Sequence, residues 1–535
     1  MKNILLILFI FFQSFTISQT NNFFGYVKDK INNSPISSAL VEIIDQNTGR
    51  REITSTTSSG YWEIKYDLTD VKNITLPDKI IVEQNYPNPF NPSTKIRFSL
   101  NEDGLVRLKM YDILGKLIDS KEYNLSSGSY SIDWFSKGST GVLFYTFEFK
   151  DQKIIKKMLQ LEGGNGGFGA LYKVSTHISY KINHANTYYK IIVSKLGYIT
   201  DSLSTTNSGK YDFELVTLHH DAFVIDLHND LLENTEGLNY DWGERHIIKH
   251  TDIPRLIDGG VDAQMFVVWI NPDKSGSYYN FAKQFVSTFK EQINKNSAKI
   301  AQARNSNDIE KINKDGKIAG ILCVEGGHVI ENNIDKLIDL YNDGARYMTI
   351  TWNNSLDWAI SAADSRSKTQ GLSDFGKQVI KTMDSLGMLI DVAHTGIKTI
   401  EDIIELTKNP IIDTHTGAYT LRQHTRNLTD EQLKAIAKTG GVIGVVFYPS
   451  FLVSKGKATI DSVVKHIDYI KNLIGIDYVS LGSDFDGIES TPIGLEDVSK
   501  FPDLTIALLK KGYSEVEVRK ILGLNFLRVF KKVCN

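Results

Sequence analysis

The sequence predicts an α/β protein in which a (β/α)8 TIM-type barrel is preceded by two small antiparallel β-sandwich modules. Three observations on the 535 residues carry that prediction. From about residue 218 onward, eight apolar runs of strand length are separated by segments whose apolar residues recur at helical spacing, the sign of βαβ units around a parallel sheet. From about residue 21 to 217 the residues alternate, are rich in Thr, Ser, Tyr and Ile, and are broken by Asn-Asn, Ser-Gly and Asn-Pro turn signals, as short antiparallel strands are. Length agrees with both, because domains average roughly 100–200 residues and an α/β barrel alone takes about 250.

Met1-Lys2-Asn3, the apolar run Ile4 to Phe12 and the small residues Thr16-Ile17-Ser18 read as a signal peptide over 1–18. That run is too short to span about 30 Å of hydrocarbon, and no later stretch reaches the ~20 apolar residues needed, so no transmembrane segment is expected after signal cleavage. Residues 19–72 and 163–217 read as the two halves of one sandwich, 73–162 as a second sandwich inserted between them, and Gly163-Gly164-Asn165-Gly166-Gly167 as a flexible joint at its exit. Residues 218–535 form the barrel. Its strand candidates are Phe223–Leu227, Ala263–Trp269, Ile318–Val324, Tyr347–Thr351, Met388–Val392, Pro410–Thr414, Val442–Phe447 and Tyr478–Gly482. Between them Ile397, Ile400, Ile403 and Ile404 mark a helix face, and Thr429 with Gln432 and Ser514 with Glu517 are capping-box starts.

With 60 Lys+Arg against 63 Asp+Glu the chain has no basic excess to neutralise a phosphate backbone, which argues against nucleic-acid binding. Two cysteines, Cys323 and Cys534, make no disulfide framework. Residues just beyond each barrel strand face the active end of this fold. The first strand runs into His228-Asn229-Asp230, whose His and Asp point the same way because side chains alternate. The third ends in Glu325, the fifth in His394 and the sixth in His415. Three His and two carboxylates on one rim suit zinc and can hold two ions with one carboxylate bridging.

Val224-Ile225-Asp226-Leu227-His228-Asn229-Asp230, Cys323-Val324-Glu325-Gly326, Gly371-Leu372-Ser373-Asp374-Phe375-Gly376, Gly387-Met388-Leu389-Ile390-Asp391-Val392-Ala393-His394 and Gly482-Ser483-Asp484-Phe485-Asp486-Gly487 occur in that order. Together they resemble the membrane (renal-type) dipeptidases, peptidase family M19, among the metal-dependent hydrolase barrels. The resemblance implies a metallo-dipeptidase with two Zn2+ per chain, His228 and Asp230 on one ion, His394 and His415 on the other, and Glu325 bridging them. A hydroxide shared by the ions would attack the peptide carbonyl of a free dipeptide, and Asp484 would hand the proton to the departing amine, with Asp486 as its rival. Arg426 falls where the family binds the dipeptide carboxylate, Arg422 being a second candidate. Trp352 stands where eukaryotic members have a His after strand four, with Asn353 beside it as an alternative donor or Trp352 as a plain pocket wall. A homodimer through the barrel is also implied.

Phe24-Gly25-Tyr26-Val27, Ala39-Leu40-Val41-Glu42-Ile43 and Tyr189-Lys190-Ile191-Ile192-Val193 resemble a carboxypeptidase regulatory-like module. Gln84-Asn85-Tyr86-Pro87-Asn88-Pro89-Phe90-Asn91-Pro92, Tyr111-Asp112-Ile113-Leu114-Gly115-Lys116 and Thr140-Gly141-Val142-Leu143-Phe144-Tyr145 are similar to the sorting domain of type IX secretion cargo, here internal where such domains are normally C-terminal. Export to the periplasm, the outer-membrane surface or the medium follows from these readings. Two other functions stay open: another metal-dependent amidohydrolase on N-acyl, lactam or lactone substrates, and a surface binding protein whose barrel is a relic. His219-His220 are read as linker, and His246, His250, His328, His466 and Cys323 as neighbours or structural residues.

Overall fold

The computed structural model describes residues 20–47, 49–67, 80–86, 88, 90, 93–138, 140–160, 163–174 and 188–535, so the signal peptide expected at 1–18 and the boundary expected near 72 lie outside it. Residues before the inserted module and residues after it build one sandwich together. Leu40–Asp45 pairs antiparallel with Tyr189–Ser194, and Thr20–Asp29 lies between Tyr61–Asp67 and the short strand Phe213–Leu215. Alternation explains the layering: Val41, Ile43, Tyr189, Ile191 and Val193 point inward to meet Phe23, Trp62 and Tyr66.

The inserted module is a second sandwich with its own core around Trp134, Phe98 and Phe147. Here the structure corrects the sequence reading. The glycine-rich segment expected to be a joint is the start of the strand Gly164–Val174, which pairs with Gly128–Gly138. A Cβ at Gly166 would lie 2.6 Å from the Phe135 Cβ and one at Gly169 would lie 2.7 Å from its ring, so glycine lets this strand cross Phe135. The inserted sandwich therefore runs to Val174, and 163–174 leaves the second half of the outer module.

The barrel strands follow in chain order as β1 (Ile225–Asp226), β2 (Ala263–Trp269), β3 (Ile318–Glu325), β4 (Ala345–Thr349), β5 (Leu389–Asp391), β6 (Ile412–Thr416), β7 (Val442–Val445) and β8 (Val479–Leu481). Each pairs in parallel with the next, and Ile300–Gln302 adds to β3 as a ninth, unforeseen strand. Closure comes from the first and last turns: Leu227 N–H donates to Leu481 O at 3.1 Å and Asp230 N–H to Phe485 O at 3.0 Å. Burial on both faces explains why these strands read as unbroken apolar runs. The helices are amphipathic as expected, and the capping boxes at Thr429 and Ser514 form. His219, expected in a linker, instead anchors the barrel's base: its ring is 1% exposed and bonds Thr505 Oγ1 and Gly259 O, each at 2.7 Å.

Candidate metal centre

All the chemistry gathers at the C-terminal ends of the strands, because that is where a barrel frees backbone from its ladder. His228 and Asp230 follow β1, Glu325 closes β3, His394 lies three residues past β5, and His415 is within β6. His228 Nε2 sits 3.4 Å from Asp230 Oδ2 and 3.6 Å from Glu325 Oε2. Glu325 Oε1, on the other side of the same carboxylate, lies 3.0 Å from His394 Nε2 and 3.7 Å from His415 Nε2. Two groups of three donors result, sharing Glu325; a third grouping joins His228 and His415 to Asp484.

Tetrahedral ligands about 2.0–2.1 Å from a zinc ion stand roughly 3.3 Å from each other, and the observed separations bracket that spacing. The hydrogen bonds behind the donors also fit a cation. Asp391 Oδ2 accepts from the Thr414 hydroxyl at 2.8 Å, which leaves Thr414 Oγ1 to accept from His415 Nδ1 at 2.9 Å. His394 Nδ1 faces Asn353 Oδ1 at 2.9 Å, an oxygen that can only accept. Both Nδ1 atoms thus carry the proton, and the two Nε2 lone pairs face one another across 3.1 Å. His228 Nε2, Asp230 Oδ1 and Glu325 Oε1 are buried with no hydrogen-bond partner among the described residues. Such an array is costly unless positive charge sits within it.

Electrostatics point the same way. Burial alone would raise Glu325, yet the imidazoles of His228 and His394 hold it well below the usual carboxylate range. Burial pushes His394 down to about 4, helped by the Arg426 guanidinium, and pushes His415 down as well, so both stay neutral, the form in which an imidazole can ligate a metal. His394, Asp484 and Asp486 have left-handed backbones with φ of 62°, 63° and 68°. The turn at His394 is held by Ala362 N–H and the Thr351 hydroxyl, both donating to its carbonyl, at 2.7 and 3.1 Å.

Above the donors opens a cavity of about 940 Å³. Arg426 lines it, 6% exposed, with one Nη donating to His415 O at 3.2 Å and its Nε unpartnered. Arg422 does not line it; its guanidinium is spent on the carbonyls of Ser450, Val453 and Gln423. Asp484 is a wall of the cavity, and burial with the nearby Asp230 and Glu325 charges raises its pKa well above the carboxylate range, opposed by His228. Asp486 lines it too, but its Oδ1 already accepts from His250 N–H at 2.7 Å. Trp352 is a half-buried wall with its ring 5.0 Å from that of Trp269 and 6.1 Å from that of His394. The Asn353 carbonyl oxygen is committed to His394, and its amide N–H2 is the group left to donate.

Several residues escaped the sequence reading. Asp391 and Thr414 are the shared support of the imidazoles, and Tyr347 Oη contacts His228 Nδ1 at 3.0 Å. Asp413 is fully buried beneath His415 with neither oxygen hydrogen-bonded, and burial beside Asp391 pushes it up to about 8. Its apolar strand context gave no signal. His250, His328 and His466 are bonded to backbone groups, and Cys323 is a buried thiol whose pKa burial drives well up.

Comparison with known proteins places this geometry. Residues 214–535 match the family model described as membrane dipeptidase, peptidase family M19, and residues 84–160 match the model of a secretion system C-terminal sorting domain. Among solved structures, the dipeptidase AC, a metallopeptidase of family M19, is 25% identical over 58% of this chain and 99% of its own, with a TM-score of 0.54. An amidohydrolase from Pseudomonas aeruginosa is 26% identical over 59% and 98%, TM-score 0.52. A metallopeptidase from Rhodobacter sphaeroides liganded with a phosphinate mimic of the dipeptide L-Ala-D-Ala shares the fold at 24% identity over 58% and 99%, TM-score 0.53.

Proposed function

The chain belongs to the membrane dipeptidase family, peptidase family M19, and from that premise we propose that it is an exported, zinc-dependent dipeptidase hydrolysing the peptide bond of free dipeptides. The observation that carries the reading is Glu325, whose two oxygens address two separate sets of donors at the floor of a cavity that also holds a buried, half-partnered arginine. His228 and Asp230 would hold one zinc ion, His394 and His415 the other, with Glu325 common to both. When bound, such a pair polarises a carbonyl and lowers the pKa of a water to near neutrality.

The remaining work falls to the chain. Arg426 lines the cavity with one Nη held by His415 O, and its planar guanidinium is matched to the terminal carboxylate of a peptide. Asp484, whose burial keeps a proton on it to higher pH, is placed to donate that proton to the departing amine nitrogen. Trp352 and Trp269 wall the cavity and exclude water. The sorting-domain match at 84–160 supports export, and no helix among the described residues is long and apolar enough to cross a membrane. The domain arrangement proposed is an outer sandwich split by the sorting-like sandwich, then the barrel.

The test is metal content and turnover measured together on the purified full chain, with L,L- and L,D-dipeptides, an N-acyl amino acid and a lactone. About two zinc per chain with hydrolysis of free dipeptides is expected. Two metals with turnover only of the N-acyl or lactone substrates would replace dipeptidase by the wider amidohydrolase activity, and no metal with no turnover would refute both.

A further inference from the structure

A second cavity, of about 320 Å³, adjoins the first on the Asp230 side of the metal centre, and Glu233 and Trp269 line both. Its inner wall is apolar, made by Trp269, Ile270 and Phe285. Its rim is acidic, with Glu233, Glu236 and Asp273 against a single cation, Lys274. That cation is already spent: Lys274 Nζ bonds both oxygens of Glu236, at 2.7 and 2.8 Å. The other nearby ammonium, Lys249 Nζ, donates to Asn234 Oδ1 at 2.6 Å. Glu233, half-buried in the short helix Leu231–Asn234, has no side-chain hydrogen bond or ion pair among the described residues. Burial raises its pKa and the Asp230 and Glu236 charges add to this, while the Lys249 and Lys274 charges oppose it without either ammonium bonding the Glu233 carboxylate.

We propose that this side cavity is the pocket for the side chain of the amino-terminal residue of the substrate and that Glu233 selects a cationic one, of lysine or arginine length. The inference rests on the dipeptidase reading above. Arg426 lies on the His415 side of the centre and fixes the terminal carboxylate there, so the amino-terminal residue extends toward Asp230 and the side cavity. An alkyl stem then lies against Trp269 and Phe285, its ammonium or guanidinium reaches Glu233, and the indole face of Trp269 adds a cation–π contact. Charge and shape act together: an acidic side chain meets Glu233 and Asp273 beside the Lys274–Glu236 pair, while a short one leaves the cavity to water.

The purified full-chain holoenzyme distinguishes these outcomes with lysyl-alanine, norleucyl-alanine and alanyl-alanine. Norleucine keeps the stem of lysine and drops the charge. Wild type should favour the lysyl over the norleucyl substrate by about tenfold in kcat/KM, mostly through KM, and Glu233→Gln should bring that ratio to about 1–2. Glu233→Lys should invert it. A wild-type ratio near one, or a ratio that Glu233→Gln leaves unchanged, overturns the pocket assignment while hydrolysis of alanyl-alanine keeps the dipeptidase reading. No hydrolysis of any of the three by metal-loaded protein overturns both.

Discussion

Replacing Arg426 by Ala removes a guanidinium that is 6% exposed, donates once to His415 O and lines the cavity. Two of its donors can meet a substrate carboxylate, and a hydrogen bond to a charged group contributes about 1.5–3 kcal/mol. Taking the lower bound, because the carboxylate gives up water to bind, the pair is worth about 3–4 kcal/mol, or roughly 10²–10³ in kcat/KM. A C-terminally amidated dipeptide offers only a neutral carbonyl, worth about 1 kcal/mol, so its loss should be about fivefold. The assay is steady-state hydrolysis of the same dipeptide with free and amidated ends, for wild type, Arg426→Ala and Arg426→Lys. The lysine variant, which keeps charge without the fork, should fall between. Equal losses on the free and amidated substrates would refute the carboxylate-binding role.

Three further outcomes follow from the geometry. Glu325→Gln turns one of the two oxygens that serve the donor sets into an N–H2 and removes the charge, and should lower bound metal and abolish turnover, read by elemental analysis and kcat; wild-type turnover in that variant would sink the two-ion scheme. Asn353→Ala leaves His394 Nδ1 without its acceptor and should weaken metal retention by about 10–100-fold against a competing chelator, whereas an unchanged affinity would mean Asn353 does not orient the ligand. His219, whose pKa burial lowers from 6.5 to about 4, stays neutral when folded while the unfolded chain binds a proton near 6.5. Its stabilisation is present above that value and is lost as pH falls toward about 4, by about 3 kcal/mol at most. Urea titrations between these pH values should show a flatter dependence in His219→Gln; identical slopes would show that His219 does not contribute.

Legibility in the sequence tracks how local each signal is. Eight strands were readable because a strand buried on both faces must be an apolar run, and the rim residues because each lies within four positions of such a run: His228 and Asp230 after β1, Glu325 closing β3, His394 after β5. Glycine was misleading at 163–167, since the same residue that loosens a linker also lets a strand cross close over Phe135, and only the partner's position separates the two.

The sequence by itself determined the barrel, the split outer sandwich and the set of metal-competent side chains at one end. Tertiary structure alone decided which arginine faces the cavity, since Arg422 and Arg426 are four residues apart, and Arg422 is turned to the carbonyls of Ser450, Val453 and Gln423 while Arg426 is buried against His415 at the cavity wall. It likewise decided that Asn353 serves His394 rather than standing free, that Asp391 and Thr414 brace the imidazoles, and that Glu233 goes unpaired while Glu236 takes the lysine. Periodicity records which face of an element is buried, but hydrogen bonds and ion pairs are fixed by distances of a few ångströms between residues far apart in the chain, and those distances exist only once the strands have closed into a barrel.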